Sequence, residues 1–204
     1  MRKAMIVGMM ALAGFGASDG QSAETAGYQV TVYMQDQQVA DPLLLGFAEA
    51  LATRVFARIG VRLRWKVGGP RDPNGRQTLP ETEIVIRFAS KTPGGFHPGA
   101  PAYALPYAPQ SGVRVTILWD RVLAPVVGNR DESVAFLGHV LAHEIGHVLQ
   151  GVAQHSESGV MKAQWTPEDR MQMRMGPLSF TDYDVQLIRL AMARQQGSAQ
   201  VAAR

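Results

Sequence analysis

Alternating apolar and polar positions predict four β-strands in the first 120 residues of the chain. The strands are expected at Tyr28–Met34, at Val61–Val67, near Ile84–Phe88 and at Val113–Trp119. In the fourth segment Val113, Val115, Ile117 and Trp119 share one face. We expect this fourth strand to form an edge of the sheet.

Apolar residues recurring every three to four positions predict four helices. The first is expected over 41–60, where Asp41 followed by Pro42 is typical of a helix start. Its buried face is expected to carry Leu44, Phe47, Leu51, Val55 and Ile59. A second is expected to begin near residues 131–133 and to end at Gln150, with Gly151 as its left-handed terminator. Two further helices are expected to begin at Thr166 and at Thr181.

The order of these elements predicts an α+β fold. A strand, a helix and three strands are followed by helices, which indicates a small mixed β-sheet backed by a helix, with the helix ending at Gln150 beneath it. A chain of 204 residues can bury one substantial core, and a second domain is not expected. The Gly- and Pro-rich segment Thr92–Gly112 shows no periodicity and is expected to be a long loop, either a functional flap or a surface excursion.

The N-terminal residues are typical of a secretory signal. Arg2 and Lys3 precede an apolar run, Ala4–Gly16, which is followed by small and polar residues. This run is shorter than a membrane span requires. We therefore expect a signal peptide over 1–23, a single catalytic domain over 24–204, and a secreted or periplasmic protein without stable membrane association after cleavage.

Composition excludes some partners and some metal ligands. The net charge of +3 is small, and Lys and Arg are spread along the chain without a basic patch, so no nucleic-acid partner is expected. The chain contains no Cys, so a metal site would have to use His, carboxylate and water. The sequence does not predict the oligomeric state.

The run His143-Glu144-Ile145-Gly146-His147 lies within the second predicted helix. Residues four apart lie one above the other on a helix, so His143 and His147 can present ring nitrogens to one metal ion. Glu144 stands beside the first histidine, where its carboxylate can reach a metal-bound water without occupying a coordination position. This arrangement predicts a zinc hydrolase with two imidazole ligands and a carboxylate as general base.

A catalytic zinc needs a third protein ligand and one open position. Downstream of His147 the chain offers four candidates: His155, Glu157, Glu168 and Asp169. His155 is favoured because Gly151 ends the helix and lets the chain turn back towards the metal. A compact turn, Ser158–Met161, follows.

These residues resemble the metzincin metalloproteases, whose pattern is H-E-x-x-H-x-x-G-x-x-H followed by a tight turn with a methionine beneath the zinc. The residues that carry the resemblance are His143, Glu144, His147, Gly151, His155 and Met161. The resemblance implies a zinc ion held by the three histidines and Met161 in the Met-turn. It also implies a secreted zinc-dependent endopeptidase, in which Glu144 activates a zinc-bound water that attacks a carbonyl of a peptide or protein substrate.

The spacing departs from the metzincin pattern by two residues. Gly151 lies four residues after His147 instead of three, and His155 lies eight residues after it instead of six. One extra helical residue rotates the exit direction by about 100°. The residues Val152–Gln154 must compensate for this rotation if His155 is to reach the metal.

Three alternatives remain open: a gluzincin-like hydrolase, a non-catalytic exported metal-binding protein, and a non-metal globular protein in which the motif occurs by chance. In a gluzincin-like hydrolase Glu168 would be the third ligand, although an acidic residue in a first helical turn is also explained by the helix dipole. A non-catalytic exported metal-binding protein would have no need of Glu144 as a base. His139, one turn before His143, either supports the site or is simply a packed or solvent-facing histidine.

Overall fold

The structure is a computed structural model that describes residues 27–70, 83–92, 99–106, 114–126 and 128–202. The predicted signal peptide over 1–23 and Val113 lie outside these residues. None of the helices in the described ranges is long and apolar enough to cross a membrane.

A five-stranded mixed sheet forms the centre of the fold, in the order β2-β1-β3-β5-β4. The strands are β1 (Tyr28–Gln35), β2 (Val61–Val67), β3 (Glu83–Ala89), β4 (Ala102–Ala104) and β5 (Val115–Leu118). Strands β2, β1, β3 and β5 pair in parallel, and β4 is antiparallel to β5. The mixed sheet and its helices confirm the predicted α+β class.

The helices confirm the predicted starts and add one short element. They are α1 (Pro42–Ala57), α2 (Trp119–Leu123), α3 (Arg130–Gln150), α4 (Pro167–Met175) and α5 (Asp182–Ala202). Asp41 caps α1 by accepting hydrogen bonds from the N–H groups of Leu43 at 2.9 Å and Leu44 at 2.8 Å. Thr166 and Asp169 form a reciprocal capping box at the start of α4.

The prediction that the fourth strand forms an edge of the sheet is wrong. Strand β5 lies between β3 and β4, and all four of its residues are buried. The edge strand on this side of the sheet is β4, which lies inside the segment Thr92–Gly112 that was expected to be a loop. A strand of three residues is too short to produce a periodic pattern, and its conformation depends on pairing with β5. Trp119, expected to end the strand, begins α2.

Helices α1 and α3 cover one face of the sheet. They contact each other, and α1 also contacts β2 while α3 contacts β4 at the opposite edge. The two helices approach closely at Gly138, where an added Cβ would lie 2.9 Å from the side chain of Leu51. Phe47 was expected on the buried face of α1 but is exposed, because it borders an open groove between α1, α3 and α4. This arrangement places α3 next to the β4 edge.

Candidate metal centre

Helix α3 carries His143, Glu144 and His147 through the interior of the protein. The helix is capped by Asn129, whose side chain accepts from the N–H of Glu132 at 3.1 Å, and all three motif residues are buried. The two histidines lie one turn apart, and their Nε2 atoms are 3.0 Å from each other. The i and i+4 spacing therefore brings two imidazole nitrogens to one point, as the sequence predicted.

The connection after α3 brings His155 to the same point. Gly151 ends the helix in the left-handed conformation with φ 68°, and its N–H donates to the carbonyl of His147 at 3.0 Å. Ligand atoms of His143, His147 and His155 all lie within 4.8 Å of one another. The longer spacing after His147 thus still allows a three-histidine cluster. Because His155 is exposed while the other two are buried, the cluster opens towards solvent.

Main-chain carbonyl groups determine the tautomers of the two buried histidines. Nδ1 of His143 lies 2.8 Å from the oxygen of Val160, and Nδ1 of His147 lies 3.2 Å from the oxygen of Val152. A carbonyl oxygen only accepts, so each Nδ1 carries the proton and each neutral ring presents an Nε2 lone pair. Two lone pairs 3.0 Å apart repel each other unless a cation lies between them. Two imidazoles on a tetrahedral zinc have nitrogens about 3.3 Å apart, so the pair fits such an ion.

Burial keeps these imidazoles neutral. Loss of hydration, with a second contribution from the neighbouring His147, lowers the pKa of His143 to about 3. Burial also lowers the pKa of His147 to about 4, with a second contribution from His155. The neutral imidazole is the form that binds a metal ion, so His143 and His147 of the metal-free protein are already in their binding form at pH 7.

Glu144 is a buried carboxyl group, exposed to 6%. Burial raises the pKa of Glu144 to about 8 in the metal-free protein, because a carboxylate loses hydration there. A cation bound at the neighbouring histidines would favour the carboxylate form. The pKa of Glu144 therefore depends on whether a cation is bound beside it. A general base needs such a tunable pKa, because it must first accept a proton and then release it.

The turn at 158–161 lies directly against α3. Met161 is fully buried, and an added Cβ on Gly146 would lie 2.6 Å from its Sδ. The turn is held from two sides: the N–H of Ser156 donates to the carbonyl of Met161 at 2.8 Å, and the N–H of Val160 donates to the carbonyl of Ser179 at 3.0 Å. Met161 therefore packs beneath the helical turn that carries His147, where the predicted Met-turn would place it.

His139 is a packed histidine with both ring nitrogens in hydrogen bonds. Nδ1–H donates to the carbonyl of Ala135 at 2.6 Å, and Nε2 accepts from the N–H of Leu178 at 2.9 Å. Its ring also lies 6.2 Å from that of Trp165, centre to centre, and the Trp165 ring lies 5.5 Å from His143. Of the two roles left open for His139, the structure shows the packed one.

The carboxylates considered as third ligand do not join the cluster. Within the described residues, the group of potential metal ligands consists of the three histidines alone. Glu168 is exposed in the first turn of α4, where its own backbone N–H and the Thr166 side chain lower the pKa of its carboxyl group. Asp169 pairs with Lys162 at 2.5 Å. The position of Glu168 is therefore explained by the favourable effect of an acidic residue at the start of a helix, and not by metal binding.

One buried acid close to the cluster was missed by the sequence analysis. Asp184 is 2% exposed and accepts hydrogen bonds from Gln150, the last residue of α3, and from Ser156, the neighbour of His155. Its charge also offsets a small part of the lowering of the pKa values of His143 and His147. In the sequence Asp184 is indistinguishable from an ordinary acidic residue in a first helical turn, so only its burial reveals it.

Comparison with known proteins adds two likenesses of fold. No protein-family model and no curated protein matches the sequence. The chain is similar to archaemetzincin from Methanopyrus kandleri, with a TM-score of 0.45 and 15% identity, over 84% of this chain and 99% of that one. It is also similar to metalloproteinase-II from Bacteroides fragilis, with a TM-score of 0.49 and 10% identity, over 84% of this chain and 55% of that one. The case for a metal centre rests on this chain's own three histidines.

Proposed function

We propose that this protein is a secreted zinc-dependent endopeptidase whose zinc ion is held by His143, His147 and His155. The observation that carries the proposal is the convergence of three imidazoles with two Nε2 lone pairs 3.0 Å apart. Structural zinc sites are usually closed by four protein ligands, whereas catalytic sites have three and keep one position open. A cluster of three histidines that opens to solvent at His155 supports the catalytic kind.

Glu144 is the proposed general base. A zinc ion held by His143, His147 and His155 would lower the pKa of its bound water to about 7 and would polarise a substrate carbonyl. The Glu144 carboxylate accepts a proton from the attacking water, and its carboxylic acid form then donates that proton to the departing amine. Its position directly after His143 on the same helix supports this role, because the helix fixes it beside the histidine cluster.

Strand β4 is the proposed binding edge for an extended substrate. It is the outer strand of the sheet on the side of α3, the helix that carries the cluster. Pro101 and Leu105 flank it: the carbonyl of Pro101 accepts from the last residue of β5, and the N–H of Leu105 donates to Arg114, the residue before β5. By alternation Tyr103 also faces β5, and the main-chain groups of Ala102 and Ala104 face outwards. A peptide pairing with this edge would lie beside the active-site helix.

Export is proposed on the basis of residues 1–23, which combine a basic start, an apolar run and small residues. The full chain, expressed in a bacterium, is expected to appear in the periplasm or medium with a new N-terminus between residues 17 and 26. N-terminal sequencing of the fractionated protein tests this. Recovery of the intact chain from the cytoplasm alone would refute the export proposal without affecting the metal centre.

The decisive experiment measures zinc content and peptide hydrolysis in the same preparations. Wild type is expected to hold about one zinc per chain and to cleave members of a peptide library followed by mass spectrometry. His155→Ala is expected to lose the zinc. Glu168→Ala, the matched control for the rejected ligand, is expected to keep it. Zinc retained in His155→Ala but lost in Glu168→Ala would establish the gluzincin-like alternative instead.

Glu144→Gln separates catalysis from metal binding. Glutamine keeps the shape of the side chain but cannot accept a proton from water, so zinc should stay bound while hydrolysis falls by at least about 100-fold. Hydrolysis at the wild-type rate in this variant would refute the role of Glu144. Wild type that binds zinc but cleaves no peptide would favour the non-catalytic metal-binding alternative.

A further inference from the structure

The segment that carries His155 is tied at both ends to one carboxylate oxygen. Asp184 Oδ1 accepts from Nε2 of Gln150 at 3.2 Å and from Oγ of Ser156 at 2.7 Å. Gln150 is the last residue of α3 and Ser156 directly follows His155. The five residues between them, 151–155, contain one of the two residues by which the spacing exceeds the metzincin pattern, and the other lies in α3 before Gly151. One atom thus joins the beginning and the end of the expanded connection.

The carboxylate itself is held rigidly by the start of α5. Its second oxygen, Oδ2, accepts from the backbone N–H of Thr181 at 2.9 Å and from the Thr181 hydroxyl at 2.6 Å. All four hydrogen bonds reach a side chain that is 2% exposed. A buried carboxylate is stable only when such bonds satisfy it, and charged acceptors form the stronger ones. Asp184 is therefore a fixed anchor.

We propose that Asp184 is a positioning residue, which closes the connection 151–155 so that His155 meets His143 and His147. Main-chain bonds also hold its two ends, at the carbonyl of Val152 and the N–H of Ser156, but the residues between them, 153–155, are all exposed. An exposed loop with an additional residue has more conformations to lose when a ligand must occupy one place. Tying both ends to Asp184 removes many of these conformations before the metal binds. This inference rests on the metal centre proposed above.

Capping of α5 does not by itself explain Asp184. A helix cap requires only the exchange with Thr181, and such an acid is normally left at the surface, as Asp182 in the same turn is. The bonds to Gln150 and Ser156 come from two other segments and have no part in capping. These two bonds are what distinguishes a positioning role from a purely local one.

The test is a double-mutant cycle read out as zinc affinity. Zinc dissociation constants are measured by competition with a chromophoric chelator for wild type, Ser156→Ala, His155→Ala and the double variant, with circular dichroism as a check on folding. Ser156→Ala is expected to weaken zinc binding by about 10- to 100-fold, the range found for residues that orient metal ligands. In the His155→Ala background the same change should have no further effect, because its action passes through His155.

Two further variants complete the design. Asp184→Ala should weaken zinc binding at least as much as Ser156→Ala, while Asp182→Ala, which removes a neighbouring exposed charge, should leave it unchanged. If Asp184→Ala does not fold, the cycle on Ser156 still decides. Unchanged zinc affinity in Ser156→Ala, or equal losses in both backgrounds, would overturn the positioning role. A wild-type protein whose zinc binding does not depend on His155 would instead overturn the proposed metal centre, and the positioning role with it.

Discussion

His143 donates a hydrogen bond from Nδ1 to the main-chain oxygen of Val160, 2.8 Å away and 17 residues further along the chain. Val160 in turn donates its N–H to Ser179, and the residue before Ser179 donates its N–H to His139, one turn before His143. Two loops are thus joined to α3 through two of its histidines. The orientation of the His143 ring therefore depends on the turn 158–161 as well as on the helix, in the way that metal-bound histidines depend on their carbonyl partners.

Gly146→Ala tests the packing of Met161 against α3. An added Cβ would lie 2.6 Å from Met161 Sδ and 3.2 Å from the Phe180 ring, and Met161 is fully buried, so neighbouring groups must shift. We expect the free energy of unfolding to fall by about 1–3 kcal/mol, the usual cost of overpacking. Chemical denaturation measures this, and zinc affinity should fall as well because the displaced turn also orients His143.

Gly46→Ala is the matched control in helix α1. No heavy atom lies within 4 Å of an added Cβ there, so the substitution should stabilise the protein by up to about 1 kcal/mol through helix propensity alone. Destabilisation in both variants would show a general intolerance of the change. A Gly146→Ala protein as stable as wild type would contradict the close packing of Met161.

Removal of zinc should lower the melting temperature. A ligand present at about 100 times its Kd contributes about 2.7 kcal/mol to the stability of the folded state. In a domain of this size each kcal/mol corresponds to about 2–4 °C. We therefore expect a chelator to lower Tm by about 5–10 °C, as measured by differential scanning calorimetry. In His155→Ala the chelator should cause a much smaller shift, and Glu168→Ala should respond as wild type does.

Local signals explain which parts of the fold could be predicted from the sequence. The starts of α1 and α4 depend on caps within the same few residues, Asp41 and Thr166, and both predicted starts are confirmed. Strand β4 and the burial of β5 depend instead on pairing between distant segments. The exposure of Phe47 likewise depends on distant segments, because it is set by where α3 and α4 lie relative to α1. Periodicity carries no information about such partners.

The residues of the metal centre also fall into two groups, those predictable from local geometry and those that depend on distant contacts. The spacing of His143 and His147 follows from helical geometry, so it could be predicted from the sequence. The approach of His155 depends on how the expanded connection folds, and that depends on Asp184 in a helix almost thirty residues later. A short sequence motif contains no information about a contact between segments so far apart in the chain. For this reason the sequence suggested the third histidine but not the residue that holds its segment.

Acid should destabilise the protein partly through His139. Burial lowers the pKa of His139 from its ordinary value of 6.5 to about 4. Between these two values the unfolded chain binds the proton and the folded protein does not, so stability is complete above pH 6.5 and falls as the pH decreases towards 4. The loss amounts to about 3 kcal/mol, since one pKa unit corresponds to about 1.4 kcal/mol. Denaturation of metal-free protein between pH 7 and 4 measures it.

His139→Gln provides the comparison, because glutamine does not titrate in this range. The variant should be less stable than wild type at pH 7, since it loses the fitted contacts to Ala135 and Leu178, but its stability should fall less steeply between pH 6.5 and 4. His143 and His147 titrate in both proteins, so their contributions to the pH dependence cancel when the two proteins are compared. Equal pH dependence in the two proteins would show that His139 is not responsible.

Ala104→Pro tests whether the outer edge of β4 binds substrate. Proline removes the outward N–H of Ala104 but leaves the hydrogen bonds of β4 to β5 in place, so Tm should change little. Loss of one hydrogen bond to the substrate, worth about 0.5–1.5 kcal/mol, should lower kcat/KM by about 2- to 10-fold without affecting zinc content. Tyr103→Pro is the control within the same strand, because it interrupts the pairing with β5 and should lower Tm. Unchanged kcat/KM in a folded Ala104→Pro protein would exclude main-chain pairing of the substrate at this position.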